Sequence, residues 1–372
     1  MNHYPLGQPV PNSVHAVCCS LPTMEAVIGY EEGRPEVTSQ VKWAYPRFVF
    51  HDYVLRVMRW VSEQALEPGR RFYPTVSTRA AERLVAFADP QTGAVTVACG
   101  LVGADLLDTD ETFALAKAYL QHTGVCLSSR AAERFLLAHG VVASLQAEER
   151  ANSAARVVEE LAPLVAPAAP QLSASGMNAV HAALDATQRW QGSRGRRVFV
   201  QFGWLYLDTQ EVLGKLLGSE DGDGKPSTSP VAAEVVVLPD VTDLAALDAL
   251  FAARGREIAG LITEVPTNPL LQVPDLKRVQ RLCHAHGAVC IVDPSLGGVV
   301  NLDVLPFCDI LVSSLTKYAA HAGDVMMGLL ALNPDSPYAA ELAPGIAEVL
   351  ESPDAADVLP LAAQIGRMRE VA

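Results

Sequence analysis

The sequence predicts an α/β protein built on a parallel-rich sheet with helices on both faces. Three short apolar runs, residues 258–264, 288–292 and 310–312, have the continuous apolar character of buried parallel strands. A segment with apolar residues at helical spacing, 275–286, separates the first two runs. Strands that alternate with helices are typical of βαβ units, which form parallel sheets.

The helix predicted between the first two strands has a start signal and a stop signal. Asp275 precedes an apolar face that includes Leu276, Val279 and Leu282, and Gly287 follows the last turn. An acidic residue favours a helix start, and glycine adopts the left-handed conformation that ends many helices. We therefore expect one amphipathic helix between these residues.

The third apolar run leads into hydroxyl side chains and then to a single lysine, Lys317. Ligands of open α/β sheets bind at the carboxyl ends of the strands, so a reactive group would lie here. A lysine at such a place can lose its proton and attack a carbonyl group. A surface lysine that merely follows a strand would look the same in these residues alone.

Three motifs resemble those of the cysteine/methionine-metabolism family of enzymes that depend on pyridoxal 5'-phosphate (PLP). They are Glu264-Val-Pro-Thr-Asn-Pro269, Val292-Asp293 and Ser314-Leu-Thr-Lys-Tyr318, which are similar to the family's E-S-P-T-N-P, V-D-N-T and S-A-T-K-Y. Their order and spacing match as well. The resemblance implies the PLP-dependent transferase fold type I and PLP as the cofactor.

The resemblance also implies roles for individual residues. Lys317 would be catalytic, because the family's lysine holds PLP covalently and moves protons at the substrate. Asp293 would lie beside the pyridine nitrogen, where a negative charge favours the protonated ring. Asn268 would contact the ring oxygen of the cofactor. The other cofactor-binding residues would be Ser175, Gly176, Met177, Phe202, Ser295, Ser314, Thr316, Tyr45 and Arg47.

Ser175 and Gly176 precede a segment that we expect to be helical. Ser175 can cap this helix, and Gly176 lets a ligand approach the backbone. The free N–H groups of a first helical turn suit a phosphate, although a capped helix without a ligand has the same sequence. By resemblance, Ser175, Gly176 and Met177 hold the PLP phosphate, and Ser314 and Thr316 bind it from the other side.

The N-terminal part resembles the fungal-type cystathionine γ-synthases. Tyr45-Pro46-Arg47 is similar to a family motif whose Tyr and Arg reach the PLP phosphate of a neighbouring subunit, although the Asn-Pro-Thr that usually follows is absent. A buried tyrosine and a surface arginine are the alternative. Phe202 occupies the place of a tyrosine that stacks on the cofactor ring, and a phenyl ring can still stack.

We divide the chain into three parts. Residues 1–150 would form an N-terminal arm and a small α/β lobe, residues 151–340 the PLP-binding large domain, and residues 341–372 the start of a truncated C-terminal segment. Only 372 − 317 = 55 residues follow Lys317, whereas the resemblance implies a C-terminal domain with an arginine for the substrate α-carboxylate. We therefore expect PLP binding with little or no turnover of O-acetylhomoserine and cysteine.

The activity implied by the resemblance is that of cystathionine γ-synthase, in which cysteine replaces the γ-substituent of an O-acylhomoserine to give cystathionine. This reaction belongs to transsulfuration, cysteine metabolism and methionine biosynthesis. The residues leave open a related γ-elimination or sulfhydrylation with the same cofactor. They also leave open a truncated PLP-binding protein without activity.

Composition limits the partners. A formal charge of −14 argues against nucleic acid and anionic membranes, which both reward clustered basic residues. No apolar stretch approaches the ~20 residues of a membrane span, and the N-terminus lacks the pattern of a signal peptide. Seven scattered cysteines suggest a reducing compartment, so we expect a cytoplasmic protein. The expected partners are small-molecule amino acids and copies of the chain, in a homo-oligomer with active sites near subunit interfaces.

We expect no metal at Cys283-His284-Ala-His286, because these residues share one helix while Cys290 lies in a strand.

Overall fold

The computed structural model describes residues 4–41, 49–145, 154–217, 233–320, 322–358, 360–361 and 364–365. The strands in chain order are β1 Pro9–Val10, β2 Cys18–Cys19, β3 Arg70–Pro74, β4 Ala94–Ala98, β5 Leu101–Leu107, β6 Gln171–Ser173, β7 Val198–Phe202, β8 Glu234–Leu238, β9 Ile258–Glu264, β10 Val289–Asp293, β11 Ile310–Ser314 and β12 Gly328–Leu332. The helices are α1 Met24–Glu31, α2 Pro35–Thr38, α3 Asp52–Ala65, α4 Thr78–Ala88, α5 Asp110–Thr123, α6 Ser129–Ala138, α7 Ala154–Leu161, α8 Gly176–Gly192, α9 Leu207–Glu211, α10 Leu244–Arg254, α11 Leu276–His286 and α12 Ala339–Val349. Shorter 3-10 turns cover Ala162–Leu164 and Leu305–Phe307, and a π-helical turn covers Val212–Leu216.

The main sheet has seven strands in the order β6-β12-β11-β10-β9-β7-β8. Strands β7 to β11 are mutually parallel, whereas β12 runs antiparallel to its neighbours β11 and β6. The three apolar runs read from the sequence are β9, β10 and β11, so these strand predictions are confirmed. Because the parallel strands point the same way, their carboxyl ends meet at one edge of the sheet.

Successive residues of the central strands face opposite sides of the sheet and are buried on both. In β10, Val289 and Ile291 belong to one hydrophobic core, whereas Cys290 and Val292 belong to the other. Helix α8 contributes to the first core, and α11 packs into the second. Helices therefore cover both faces, as predicted for a parallel-rich sheet.

Helix α11 has the ends that the sequence predicts. The Asp275 side chain accepts a hydrogen bond from the Arg278 backbone N–H at 3.0 Å, which satisfies one of the N-terminal donors that have no partner within the helix. At the other end, Gly287 takes the left-handed conformation with φ 72°. This conformation suits glycine because it has no Cβ.

The N-terminal lobe contains a three-stranded antiparallel sheet in the order β3-β5-β4. Helices α3 and α4 pack against it. Phe72, Tyr73 and Leu106 of this sheet are fully buried and belong to the same core as α8. The hydrophobic core of the lobe is therefore continuous with the core on one face of the main sheet.

Two arginines of the N-terminal lobe bind helix α12. Arg79 donates to the Ala347 carbonyl at 3.0 Å, and Arg83 donates to the Glu348 carbonyl at 3.1 Å. These carbonyls lie in the last turn of α12, where a helix leaves acceptors without internal partners. Helix α12 itself packs against α8, so the lobe is joined through α12 to the helix that begins at Gly176.

The described residues contain neither a candidate membrane-spanning helix nor a candidate metal site. No helix in the described ranges is both long and apolar enough to cross a membrane. Within the same ranges, no group of three or more His, Cys, Asp or Glu side chains is arranged to hold a metal. His284, which the sequence places in a Cys/His-rich segment, has its Nε2 2.9 Å from the Asp309 carboxylate.

Candidate active site

A cavity of about 610 Å³ lies at the carboxyl ends of β9, β10 and β11. Strand topology accounts for its position, because neighbouring parallel strands deliver the residues that follow them to the same edge. Most of the predicted site residues lie in its wall, namely Gly176, Met177, Asn268, Asp293, Ser295, Ser314, Thr316 and Lys317. Gly176 and Lys317, which are 317 − 176 = 141 positions apart along the sequence, therefore lie in one cavity wall.

Asp293 is held by a short chain of hydrogen bonds between two strand ends. Its Oδ1 accepts from the Ser295 backbone N–H at 2.8 Å, and the Ser295 Oγ accepts from the Ser314 backbone N–H at 2.7 Å. Burial raises the pKa of the Asp293 carboxyl to about 6, although the Ser295 hydrogen bonds and the Lys317 charge act in the opposite direction. Asp293 is thus an oriented carboxylate in a low-dielectric site.

A second carboxyl group, that of Glu264, lines the cavity beside Asp293. The two residues are register partners at the ends of β9 and β10, and the Glu264 carboxyl accepts from the Tyr206 backbone N–H. Burial, and then the Asp293 charge, raise the pKa of Glu264 to about 8. The sequence interpretation gave Glu264 no role, although it opens the Glu264-Val-Pro-Thr-Asn-Pro269 motif.

Ser175 caps α8, as predicted, but its hydroxyl has two protein partners. Its Oγ accepts from the Asn178 N–H at 3.1 Å and donates to the Gly124 carbonyl at 2.9 Å. Ser175 does not lie in the cavity wall, whereas Gly176 does. A Cβ on Gly176 would lie 2.7 Å from the Ser314 Cβ, so glycine here allows α8 to approach the end of β11.

The residues present fit PLP. The buried Ser314 Oγ has no hydrogen-bond partner among the described residues, and a phosphate oxygen would supply one. Gly176 and Met177 form the first turn of α8, where backbone N–H groups lack helical partners and favour an anion. Lys317 and Asp293 line the same cavity, which supplies an amine for the aldehyde and a carboxylate for the ring nitrogen.

Three predicted cofactor-binding residues need correction or lie outside the structural description. Phe202 is fully buried in the hydrophobic core and does not line the cavity, whereas Tyr206, four positions later in the chain, does. Tyr45 and Arg47 lie outside the described residues.

Thr316 lies in the cavity wall but has a structural partner for its hydroxyl. Its Oγ1 accepts from the Met327 N–H at 3.1 Å and lies 3.4 Å from the Met327 carbonyl. These contacts tie the turn that carries Lys317 to the start of β12. Of the two hydroxyls predicted to face the phosphate, Ser314 is the better placed, because its oxygen has no partner among the described residues.

The N-terminal arm forms part of the cavity wall, a feature that the sequence interpretation missed. Val17, Cys18, Leu21 and Tyr30 all contribute to the wall. The Val17 N–H donates to the Gly323 carbonyl at 3.0 Å, which joins the arm to the loop after Lys317. Such contacts connect residues about 300 positions apart, so local sequence patterns give no signal for them.

We expect Gly124→Ala to destabilise the site more than an ordinary glycine substitution. Gly124 has φ +65°, and an added Cβ would lie 1.8 Å from the Ser175 Oγ. Gly140→Ala is a matched control, because Gly140 has φ +70° but nothing within 4 Å of an added Cβ. In both variants alanine must adopt the left-handed backbone conformation, which lowers stability. Only Gly124→Ala also displaces the Ser175 side chain that caps α8, which adds about 1–3 kcal/mol of destabilisation.

Denaturant unfolding of both variants measures this difference. Equal losses of stability in Gly124→Ala and Gly140→Ala would contradict the role assigned to the Ser175 contact. The comparison is informative because the backbone conformation is nearly the same at the two positions. A difference between the variants therefore reports the collision with Ser175 and not the cost of positive φ.

The sequence model of the family described as "Cys/Met metabolism PLP-dependent enzyme" matches residues 147–356. This range includes the main sheet and all the predicted site residues except Tyr45 and Arg47. The match spans β9, β10 and β11, whose ends form the cavity.

Curated relatives match nearly the whole chain. The L-2-amino-4-chloropent-4-enoate dechlorinase/desaturase of Streptantibioticus cattleyicolor is 37% identical over 363 residues, which cover 96% of this chain and 70% of the relative. The cystathionine γ-synthase of Neurospora crassa is 26% identical over 483 aligned positions, which cover 94% of this chain and 75% of the relative. Among solved structures, cystathionine γ-synthase from Xanthomonas oryzae in complex with aminoacrylate and cysteine has a TM-score of 0.45 and 21% identity, over 57% of this chain and 50% of that one.

Proposed function

Because the chain belongs to the Cys/Met metabolism family of PLP-dependent enzymes, has their fold type I and takes PLP as its cofactor, we propose that it removes a leaving group from the γ-carbon of a free L-amino acid. The observation that carries this proposal is the position of Lys317 and Asp293 in one cavity whose remaining wall is largely apolar. The name of the relative at 37% identity describes a substrate with chlorine on carbon 4, which is the γ-carbon.

Lys317 would act at the substrate Cα and at neighbouring carbons, where its amine can take up and return protons. Asp293 would place a negative charge beside the ring nitrogen of the cofactor. Bound PLP supplies an electron sink that makes the Cα proton removable. Ser314, with the first turn of α8, would hold the phosphate, and Asn268 would orient the ring.

The apolar part of the wall would hold the substrate side chain and exclude water. Val17 and Leu21 of the arm face the cavity together with Val180 and Leu296 of the main domain. A hydrocarbon side chain with a halide or acyloxy group would bury its carbon atoms against these residues. This wall supports elimination, in which the leaving group departs from the γ-carbon with its electron pair. Lys317 would accept a proton from a neighbouring carbon, and the electrons of that C–H bond would form a new carbon–carbon π bond.

The test is release of the leaving group by the PLP-loaded chain. We expect chloride release from L-2-amino-4-chloropent-4-enoate to be faster than production of cystathionine from O-acetylhomoserine and cysteine. An ion-selective electrode measures the first reaction, and chromatography measures the second. A chain that releases no chloride, and no acetate from O-acetylhomoserine, would contradict the proposed function.

Cystathionine γ-synthase activity is the second candidate. It is favoured by the match to the Neurospora crassa enzyme across 94% of this chain. In that reaction the cysteine thiol would replace the γ-substituent, so cystathionine would form at a rate comparable to acetate release. Acetate release without cystathionine would favour elimination.

Two further properties remain proposals that follow from the family resemblance. We propose a homo-oligomer, because Tyr45 and Arg47 resemble residues that reach the cofactor of a neighbouring subunit. We also propose a cytoplasmic role in cysteine and methionine metabolism. Light scattering of the purified chain tests the first, and a monomer at micromolar concentration would contradict it.

A further inference from the structure

Glu264 and Asp293 form a pair of buried carboxyl groups in one cavity. Their exposed fractions are 5% and 7%, and parallel pairing of β9 with β10 places them side by side at the strand ends. Both line the wall that also contains Lys317. Two ionised carboxylates at such a place repel each other strongly, because burial reduces the screening of their charges.

The surroundings of Glu264 favour a single negative charge on the pair. Two backbone N–H groups, those of Tyr206 and Asn268, donate to its carboxyl and lower its pKa, but burial and the Asp293 charge outweigh them and raise the pKa overall. The other titratable groups in the cavity wall are Asp293 beside Glu264, and Cys18, Cys19, Tyr30, Tyr206, Lys317 and Tyr318. Among the described residues of the wall, Lys317 is the single lysine or arginine, so one cation faces two carboxyl groups.

We propose that Glu264 holds a proton at neutral pH, so that the Glu264–Asp293 pair carries one negative charge, on Asp293. Glu264 is then a positioning residue: its neutral carboxyl leaves the charge of Asp293 available for the cofactor ring. A single charge also avoids repelling the α-carboxylate of an amino-acid substrate. The protonation of Glu264 does not depend on the proposed function. Only its expected effect on binding of the substrate α-carboxylate rests on that function.

The proton on Glu264 makes the stability of the cofactor-free chain depend on pH. The pKa of Glu264 is raised from 4.5 to about 8, and that of Asp293 from 3.8 to about 6. Between pH 6 and pH 8 the folded chain therefore retains a proton on Glu264 that the unfolded chain has released. Stability due to this group is complete below about pH 4.5, falls as pH rises, and is lost above pH 8.

The first experiment compares unfolding of the cofactor-free full chain with that of Glu264→Gln, which keeps the size of the side chain but cannot ionise. From pH 6 to pH 8, the unfolding constant of the wild type should rise by up to about tenfold per pH unit relative to the variant. Glu257→Gln is the matched control, because Glu257 is an exposed glutamate just before the other end of β9. Its profile should follow the wild type, and parallel profiles for wild type and Glu264→Gln would overturn the proposal.

A second measurement does not depend on reversible unfolding. With glutamate labelled by ¹³C at the side-chain carboxyl, one NMR signal should titrate near pH 8 in the wild type and be missing in Glu264→Gln. In Asp293→Asn the same signal should titrate at lower pH, because the neighbouring negative charge is gone. A Glu264 signal that titrates near its ordinary pKa of 4.5, or that does not move in Asp293→Asn, would overturn the proposal.

The consequence for substrate is tested separately on the PLP-loaded chain. The substrate KM of the wild type should rise as pH passes 8, because the pair then gains a second negative charge, and the rise should be absent in Glu264→Gln. A change in kcat alone would contradict this consequence. The NMR result does not require turnover, so it stands or fails independently of the proposed function.

Discussion

Lys317→Ala should abolish the borohydride-stable attachment of PLP to the chain. It should also lower turnover of a γ-substituted amino acid by about 10²–10⁴-fold, the contribution typical of one acid–base group. Lys317 supplies the amine in the cavity wall after the end of β11, near Ser314, whose hydroxyl we propose binds the cofactor phosphate. Borohydride reduction followed by peptide mapping should find the pyridoxyl group on Lys317 in the wild type and on no peptide of the variant.

The fold should survive this substitution, since the turn is fixed by its backbone. The Leu315 N–H donates to the Met327 carbonyl at 2.9 Å, and the Ala320 N–H donates to the Leu315 carbonyl at 2.7 Å. Lys277→Ala is the matched control, because Lys277 is an exposed lysine on α11 and does not line the cavity. Unchanged labelling in Lys317→Ala would rule out Lys317 as the attachment site.

Local signals predicted three neighbouring strands of the main sheet, β9, β10 and β11, and the part of the site that lies at their ends. The strand 258–264 and the helix that begins after Asp275 and ends before Gly287 could be read from apolar spacing and end signals. Asp293 is the last residue of β10, and Lys317 lies in the turn after β11. Their positions at the carboxyl ends of strands were therefore also predictable. Parallel topology then brings both to one edge of the sheet.

Other features depend on contacts that no local pattern encodes. The Glu264 carboxyl becomes a proton-holding group only through the register that sets it beside Asp293. Phe202 pairs in register with Leu238 and is buried within the sheet, and Gly203 with φ 89° then turns the chain. Tyr206, beyond this turn, reaches the cavity instead.

Local sequence patterns also fail to predict that the N-terminal arm contributes to the cavity wall. Proline and turn residues are frequent in the first part of the chain and favour an irregular arm. They do not indicate that Val17 and Leu21 line the same cavity as Lys317. That placement depends on the tertiary hydrogen bond from Val17 to Gly323, which joins distant parts of the chain.

Asp293→Asn is expected to leave the fold intact and to remove most of the electron-withdrawing power of the site. Asparagine has nearly the same shape, and its Oδ1 can still accept from the Ser295 N–H that now lies 2.8 Å from the Asp293 carboxylate. It has no negative charge, so it cannot favour a protonated ring nitrogen as a carboxylate does. We expect removal of the substrate Cα proton to slow by about 10²–10³-fold, the loss typical when one electrostatic group of an active site is removed.

Exchange of the Cα proton measures this effect without a leaving group. L-2-aminobutyrate has the four-carbon skeleton of homoserine but no γ-substituent, so in deuterated water the PLP-loaded chain should exchange only its acidified protons. Proton NMR follows the loss of the Cα signal. Asp335→Asn is the control, because Asp335 is exposed in the turn after β12. Exchange at the wild-type rate in Asp293→Asn would contradict the role of Asp293 beside the ring nitrogen, because the variant has no negative charge at this position.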